Sequence, residues 1–459
     1  MSDDRAVGDH RFRGAVRLRQ LLDRVRHRLS FVPVLYVIAA IALVQVLLIV
    51  DRSLEDQSLP TWFETTVDSA RSVFAAMAGG LITSITLLLS MMLVAVQLAS
   101  SQFSPRTLRD WLGNRTLQHA IGIVLGTTVF CLFALRSTRD FGDDGDRVVP
   151  HVTVLVAMLL GVISLVAVVR AVDHLTHSVR VGSVAKRVAT ETIGVLDRAD
   201  DVPAEQAPEL LPAAEPSNAE ERLDIPSTAV AIETSTSGWI QQIDEDAILA
   251  ALPDGGTAYV PVSIGGFVPD RAPLVWVDAR SSIDDTCRER VRESLAVGDS
   301  RTMQQDVEFG LVQLTDIAVR ALSPGVNDPT TACDVTVHIG NVLLAIWTRE
   351  VPPTVRRDGD RRVVAVRPTH AAYLARSIGP IRRYGAQDPE VLSSIVTTLG
   401  LVRAETIRRG LPGPIVPLDD AITATSNIAD TAAWTADEIT RFRQAVADAS
   451  AAVAVSDRR

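Results

Sequence analysis

Four long, uncharged apolar stretches constrain this chain more than any other feature of its sequence. A helix needs about 20 mostly apolar residues to cross a bilayer, because its backbone polar groups must all be satisfied inside the hydrocarbon. The stretches lie at Phe31–Val50, about Ser72–Ser100, about Gln118–Leu135 and about Pro150–Val169. No run after Arg170 comes close to that length. The sequence therefore predicts a membrane domain over residues 31–170 with four spans.

The charges of the connecting segments predict how these spans are oriented. Cytoplasmic segments of membrane proteins carry an excess of Lys and Arg. Residues 1–30 carry eight arginines against four aspartates, whereas the loop 51–71 carries five acidic residues against two arginines. The later loops alternate in the same way. We therefore expect a multi-pass protein of the plasma membrane with both termini in the cytoplasm, and with residues 1–30 as a basic amphipathic segment on the inner leaflet.

The chain after the fourth span has the composition of a soluble region. Its pattern predicts a helical extension over 171–198, a linker rich in Pro, Ala and Glu over 199–226, a β-rich subdomain over 227–281 and a helix-rich subdomain over 282–459. Strands are predicted at 228–234, 238–243, 257–262 and 362–366, with a hairpin over 265–277 that turns at Asp270. The predicted fold class is a membrane all-α four-helix transmembrane bundle plus a cytoplasmic α+β domain.

Several function classes lack the residues that they need. The net charge of −10 gives nucleic acid no basic surface to bind. Lys186 is the only lysine and follows no Gly-rich turn, which excludes a P-loop. The three cysteines, Cys131, Cys287 and Cys333, show no zinc-binding spacing. No nucleophile–base pair stands at a recognisable spacing. We therefore expect no cofactor, no metal, no nucleic-acid partner and no enzymatic activity.

The second span carries a polar stripe at helical spacing. Its residues are Gly79, Thr83, Thr86, Ser90 and Gln97. One interpretation is a hydroxyl-lined path for water or ions, and the other is close packing of helices, for which small and hydroxyl residues are the usual contacts. Gly122 and Gly126 in the third span favour packing there. No span contains Asp, Glu, Lys or Arg, which argues against a proton-coupled transporter.

A second dense polar motif runs from Arg301 to Ala332 in the soluble region. It predicts a helix that ends near Ser323-Pro-Gly and a second helix that starts after Asn327-Asp328 with Pro329 in its first turn. Helix capping accounts for part of the motif, and a ligand pocket or a subunit interface is the functional alternative. The candidate residues are Asp306, Gln313, Asp316, Arg320, Ser323, Asn327 and Asp328. We expect Asp316 and Arg320 to form a buried pair, packed against Asn327 and Asp328 or against a neighbouring subunit.

Two motifs make the chain resemble a known family. One is Ser100-Ser-Gln-Phe-Ser-Pro-Arg106 at the cytoplasmic end of the second span, with Gln102, Ser104 and Arg106 as its membrane-proximal polar residues. The other runs from Gln305-Asp306 to Ala332. In both, and over about residues 30–430, the chain is similar to the bacterial predicted membrane proteins catalogued as domain of unknown function 2254. The resemblance implies four spans and a cytoplasmic domain, and it assigns no activity.

These observations lead to two functional hypotheses. The first is a homo-oligomeric channel, or channel-like transport protein, with a cytoplasmic regulatory domain. The second is a membrane-anchored sensor or scaffold that transports nothing. Both expect the lipid bilayer and further copies of the chain as partners, and neither identifies a ligand or a permeating solute.

Overall fold

The computed structural model describes residues 31–53, 66–102, 115–138, 151–178, 181–200, 223–349 and 355–451. Within it the chain forms two compact units, Met1–Arg180 and Val181–Arg459. The basic segment over residues 1–30 and most of the predicted linker lie outside the described residues.

Four long helices form the first unit. They are α1 (Phe31–Ser53), α2 (Val67–Gln102), α3 (Arg115–Ser137) and α4 (His151–Ser178). Helix α3 is central: 56% of the positions in its most apolar 18-residue stretch are buried, against 17% in α2. Helix α2 is therefore the helix that turns most of its surface outward.

Small residues set the close approach of α1 and α3. A Cβ on Gly122 would lie 2.5 Å from Cδ2 of Tyr36, and one on Gly126 would lie 3.1 Å from the Tyr36 carbonyl oxygen. A Cβ at Gly122 would force the Tyr36 ring to move, and one at Gly126 would require the α1 backbone to give by a few tenths of an ångström. The prediction that this glycine pair serves helix packing is confirmed.

The second unit begins with a helix and continues with two sheets and further helices. Its helices are α5 (Val181–Asp200), α6 (Glu245–Ala251), α7 (Asp285–Glu293), α8 (Val307–Ala321), α9 (Pro329–Trp347), α10 (His370–Tyr384), α11 (Pro389–Arg409), α12 (Val416–Ser426), a short 3-10 helix (Asn427–Asp430) and α13 (Ala436–Ala451). Its strands are β1 (Val230–Glu233), β2 (Gly238–Ile243), β3 (Thr257–Val260), β4 (Phe267–Val268), β5 (Pro273–Asp278), β6 (Leu295–Gly298), β7 (Val355–Asp358) and β8 (Arg361–Ala365).

The strands form one five-stranded and one three-stranded sheet, in the orders β1-β5-β3-β8-β7 and β4-β2-β6. The predicted strand near 362–366 is present as β8, and it pairs in parallel with β3. The hairpin predicted over 265–277 is wrong: β4 pairs with β2, whereas β5 pairs with β1 and β3 in the other sheet. Strands β6, β7 and β8 also carry the two sheets beyond residue 281.

A fifth helix meets the composition of a membrane span. By length and hydropathy, five of the described helices could cross a membrane, namely α1 to α4 and α9. The expectation that no stretch after Arg170 comes close is therefore wrong by this measure. Helix α9 has the lowest mean hydropathy of the five, 1.2, and half of its apolar stretch is buried. It packs against α5, α8 and α11 inside the second unit.

Candidate functional site

The polar stripe of α2 lies on the outer surface of the first unit. Gly79, Thr83, Thr86, Ser90 and Gln97 are all exposed, and a Cβ on Gly79 would meet no atom within 4 Å. The face of α2 that packs within the unit carries other residues: Ala70, Phe74, Ala78, Leu88 and Met92. Within the described helices of the first unit, the stripe is therefore on the exposed face of α2.

The hydroxyl groups of the stripe present acceptor oxygens. Thr83 donates its hydroxyl proton to the Gly79 carbonyl (3.0 Å), Thr86 to that of Ile82 (2.8 Å) and Ser90 to that of Thr86 (2.8 Å). Each proton is thus directed to the helix's own backbone, so the oxygen lone pairs point away from it. A row of such oxygens suits water or a cation better than an anion.

The stripe is longer than the sequence pattern suggested. Asp68 and Ser72 are also exposed, and at about 100° per residue they lie on the same arc of α2, about 60° wide, as Thr83, Thr86 and Ser90. From Asp68 to Gln97 the stripe covers about 44 Å at about 1.5 Å per residue. This length matches a whole bilayer with its headgroups, about 40–45 Å. A carboxylate therefore stands at one end of the row.

Other polar residues make the contacts within the bundle. The Ser164 hydroxyl of α4 donates to Thr127 Oγ1 of α3 over 2.9 Å, and both side chains are buried. The Asp51 carboxylate at the end of α1 is buried, accepts from the backbone N–H groups of Val152 (2.8 Å) and Thr153 (3.2 Å), and also accepts the Thr153 hydroxyl. Asp51 thereby caps the N-terminus of α4. These pairs join residues too far apart in sequence for any spacing rule to find them.

In the second unit, Asp306 of the Arg301–Ala332 motif is the N-cap of α8. Its carboxylate accepts from the Phe309 N–H (2.9 Å) and receives two hydrogen bonds from the Arg301 guanidinium (2.8 and 2.9 Å). Only 3% of Asp306 is exposed. A bidentate pair of this kind is among the stronger side-chain contacts. Asp306 therefore holds the segment before α8 onto the helix.

The loop before β4 closes over this pair. Gly265 has a φ of +79°, and a Cβ there would lie 2.2 Å from an Asp306 carboxylate oxygen and 2.6 Å from an Arg301 nitrogen. One residue before Asp306, the Gln305 side chain accepts from the Ile243 N–H (3.0 Å) at the end of β2. The start of the motif thus fastens the three-stranded sheet to α8.

The middle of the motif differs from the expectation. Gln313 is 1% exposed, and its amide makes no hydrogen bond to the described residues. Asp316 is partly buried, but Arg320 is exposed. The prediction that the two form a buried pair is therefore wrong within one chain: α9 and α10 cover other faces of α8, and Arg320 extends to the surface.

The end of the motif is a helix–turn–helix junction. The Ser323 carbonyl accepts from the N–H groups of Val326 (3.0 Å) and Asn327 (2.9 Å), and Asn327 has a φ of +50°. The Asp328 carboxylate caps α9 by accepting from the Thr331 N–H (3.0 Å) and hydroxyl (2.6 Å). These hydrogen bonds lower the pKa of Asp328. The predicted cap and the proline in the first turn of α9 are both present.

The structure does not bring the seven motif residues together in one place. Asp306 lies at the start of α8, whereas Ser323, Asn327 and Asp328 follow its end. A helix of 15 residues separates the two groups by about 20 Å. For the membrane-proximal motif, Gln102 is the last residue of α2, and Ser104 and Arg106 lie outside the described residues. Among the described residues, no group of three or more His, Cys, Asp or Glu side chains could hold a metal ion.

Comparison with known proteins places this arrangement in a family. The family described as predicted membrane protein (DUF2254) matches residues 26–400, which include α1 to α4 and the whole Arg301–Ala332 motif. The chain belongs to the DUF2254 family. The resemblance drawn from the two sequence motifs is thus confirmed.

The DUF2254 relatives found are mycobacterial. An uncharacterized protein of Mycobacterium bovis and two of Mycobacterium tuberculosis strains are each 31% identical to the chain over 349 residues, which cover 74% of this chain. The match spans 65% of the length of each relative, so their chains are longer than the shared part. No solved structure matches the chain.

Proposed function

We propose that this DUF2254 protein is a homo-oligomeric, channel-like membrane protein in which the α2 stripes of neighbouring copies face a shared path. The outward position of the stripe carries the proposal. Because Thr83, Thr86 and Ser90 are exposed on a single chain, any path along them lies between chains.

The chemistry of the stripe favours water or cations as the permeating species. Its hydroxyl protons are directed to the backbone, Asp68 stands at one end, and α2 carries no charge between Arg71 and Gln97. Rings of oxygen ligands and of acidic side chains are the usual lining of cation pathways. Leu93, 60% exposed, adds an apolar side chain between Ser90 and Gln97.

The proposed topology has four spans and two cytoplasmic termini. Alternating loop charges support it, as does the cap that Asp51 makes on α4, since it joins the end of the first span to the start of the fourth. We assign α9 to the core of the cytoplasmic unit, because it packs against α5, α8 and α11 and exposes Asp334 and Asn341. No enzymatic role is part of the proposal.

The experiment compares Thr86→Leu with Leu89→Phe in liposomes. Leu89 is exposed on α2 but lies off the stripe. We expect the wild type to pass potassium or thallium(I) and to exclude chloride. Thr86→Leu should reduce the cation flux without changing the oligomer mass, because one bulky apolar side chain can dewet a narrow pore. Leu89→Phe should leave the flux unchanged.

The scaffold hypothesis predicts a different result from the same variants. If α2 only assembles subunits, the wild type passes no ion, and Thr86→Leu lowers the oligomer mass. A lost helix–helix contact in a membrane costs roughly 0.6–2 kcal/mol. Exposed small residues at the four-residue spacing of Ala75, Gly79 and Thr83 favour this second candidate.

A further inference from the structure

The five-stranded sheet of the second unit covers a hydrophobic core with one face and carries polar and aromatic side chains on the other. Ile232, Val275 and Val363 are buried on the core face, where α6 and α7 also pack. Side chains alternate along a strand, so the neighbours of these residues lie on the opposite face. Six of them carry aromatic, hydroxyl or charged groups and are half-buried or exposed: Trp276, Asp278, Thr257, Tyr259, Arg357 and Arg362. We call these six residues the polar sheet face.

The strand register divides the polar sheet face into an aromatic end and a basic end. Tyr259 of β3 is paired with Trp276 of β5, so the two aromatic residues stand side by side. Two residues earlier on β3, Thr257 is paired with Arg362 of β8, and Arg362 is paired with Arg357 of β7. From the strand spacing and the rise per residue, the aromatic pair and the arginine pair lie about 12 Å apart at the backbone.

The two arginines of the polar sheet face lack the carboxylate partners found on the other face of the same hairpin. There, Arg361 pairs with Asp254 over 2.7 Å. Among the described residues, Arg357 and Arg362 form no ion pair, and the buried Arg357 Nε has no hydrogen-bond partner. Like charges directly opposite each other on a sheet are destabilising. An anion bound between the two guanidinium groups would remove this repulsion.

The aromatic end supplies ring surfaces and a hydroxyl donor. Trp276 and Tyr259 are both half-buried, so part of each residue stays accessible. Burial, with Asp278 and Asp224 close by, raises the pKa of Tyr259, whereas Arg362 acts in the opposite direction. The hydroxyl therefore keeps its proton at neutral pH and can donate it to an acceptor. Asp278 lies on β5, away from the arginines, where its carboxylate can accept from a sugar hydroxyl or a base N–H.

We propose that the polar sheet face binds a nucleotide, with the base on Trp276 and Tyr259 and the phosphates between Arg357 and Arg362. Guanidinium groups bind phosphate oxygens through two parallel hydrogen bonds, and aromatic side chains stack on any nucleobase. The separation of about 12 Å between the two ends suits a nucleoside diphosphate or triphosphate. A long nucleic acid fits less well, because the chain has a net charge of −10. The proposal does not rest on channel activity, and it holds equally for a scaffold.

The test is isothermal titration calorimetry on the full-length protein in detergent, with adenosine diphosphate, guanosine diphosphate and inorganic pyrophosphate as probes. We expect the wild type to bind at least one nucleotide more tightly than pyrophosphate. Arg362→Gln should weaken the binding of both kinds of probe about 10- to 100-fold, because a charge-assisted hydrogen bond is lost. Trp276→Leu should weaken nucleotide binding about 5- to 100-fold through lost stacking and leave pyrophosphate binding unchanged.

A matched control and a stability measurement make the result specific. Arg361→Gln lies on the same strand but on the opposite face, where Arg361 pairs with Asp254, so it should leave all three affinities unchanged. Arg362→Gln without ligand should melt no earlier than the wild type, because Arg362 is exposed and its repulsion with Arg357 is relieved. Lost binding is thereby distinguished from lost folding.

Three results would overturn the proposal. The first is a wild type that binds neither nucleotide at about 1 mM, the weakest affinity expected of a specific site. The second is nucleotide binding that Arg362→Gln leaves intact, which would place the ligand elsewhere. The third is equal affinity for pyrophosphate and the nucleotides with no effect of Trp276→Leu, which would show an anion site that does not recognise a base.

Discussion

Asp51 shows how one buried carboxylate can join distant parts of a membrane bundle. It lies at the end of α1, yet its hydrogen bonds go to the first turn of α4, about a hundred residues later. In a charge count along the sequence it is only one of five acidic residues in a loop. In the structure it satisfies N–H groups that would otherwise lack a partner where water is scarce.

The stability of Asp51→Ala tests this role. We expect a loss of about 1–2 kcal/mol in the free energy of unfolding, the usual cost of removing a helix N-cap. Asp68→Ala is the matched control, because Asp68 is acidic and near the same end of the bundle but exposed. Thermal unfolding in detergent measures both. Equal melting temperatures for the two variants would contradict the capping role.

His370 makes the second unit sensitive to mild acid. Its ring packs edge-on against Trp347 with centroids 4.5 Å apart, and 6% of the residue is exposed. Burial lowers the pKa of His370 from 6.5 to about 4. Between these two values the unfolded chain binds a proton that the folded chain does not, so stability falls as the pH is lowered through this window.

The size of the His370 effect can be measured against a variant that cannot titrate. Linkage gives a loss of about 2 kcal/mol between pH 7 and pH 5. We therefore expect the wild-type melting temperature to fall further over this range than that of His370→Asn. If the melting temperatures of the two proteins change with pH in parallel, His370 takes up its proton as readily in the folded protein as in the unfolded chain, which would contradict the lowered pKa.

At the scale of elements, the α1–α3 contact depends on a missing side chain. Gly122→Ala places a Cβ 2.5 Å from the Tyr36 ring, and overpacking of this kind costs about 1–3 kcal/mol. Gly80→Ala is the control on another membrane helix, since its Cβ meets no atom within 4 Å. We expect only Gly122→Ala to lower the thermal stability. A similar loss for both would contradict the contact as the cause, because alanine by itself favours a helix over glycine.

The end of α8 gives a prediction opposite to the one drawn from its sequence. Because Arg320 is exposed, Arg320→Ala should change the free energy of unfolding by no more than about 0.5 kcal/mol. Chemical denaturation of a dissociated, detergent-solubilised protein measures this. A loss of about 3–5 kcal/mol would instead show that Arg320 and Asp316 form a buried pair, as the sequence predicted. A loss found only in the assembled protein would place Arg320 at a contact between copies.

The elements that sequence predicts well are those fixed by local chemistry. The apolar stretches of α1 to α4, the Asp328 cap with Pro329, and strand β8 follow from hydropathy, capping and β-branched composition. Pairing is different, because β4 and β5 are close in the chain but join different sheets. Partners such as Thr127 with Ser164 depend on tertiary packing, which no local spacing encodes.

At the candidate site, too, one part of the α2 stripe follows from the local sequence and another part depends on tertiary packing. Its periodicity is visible in the sequence from Gly79 to Gln97. Its extension to Asp68 depends on the helix starting at Val67, five residues before the apolar stretch begins. Whether the stripe faces inward or outward depends on where α3 packs, and it is Phe74, Ala78 and Leu88 that fill the interior instead. The sequence predicts the periodic polar stripe, and the packing of the bundle decides whether that stripe faces inward or outward.

At the scale of the whole molecule, the proposed function requires the outward face of α2 to line a water-filled path between copies. Introduced cysteines test this by their reaction with a small, positively charged aqueous thiol reagent in assembled protein. The matched controls are Leu87→Cys and Leu89→Cys, since both leucines are exposed on α2 but lie off the stripe.

We predict rapid modification of Thr83→Cys, Thr86→Cys and Ser90→Cys, slower reaction with a negatively charged reagent of similar size, and no reaction at the two control positions. Water reaches only a lined path, whereas lipid and packed helices exclude such reagents. Unreactive thiols at all three stripe positions in the assembled protein would contradict the account and leave α2 as an assembly surface.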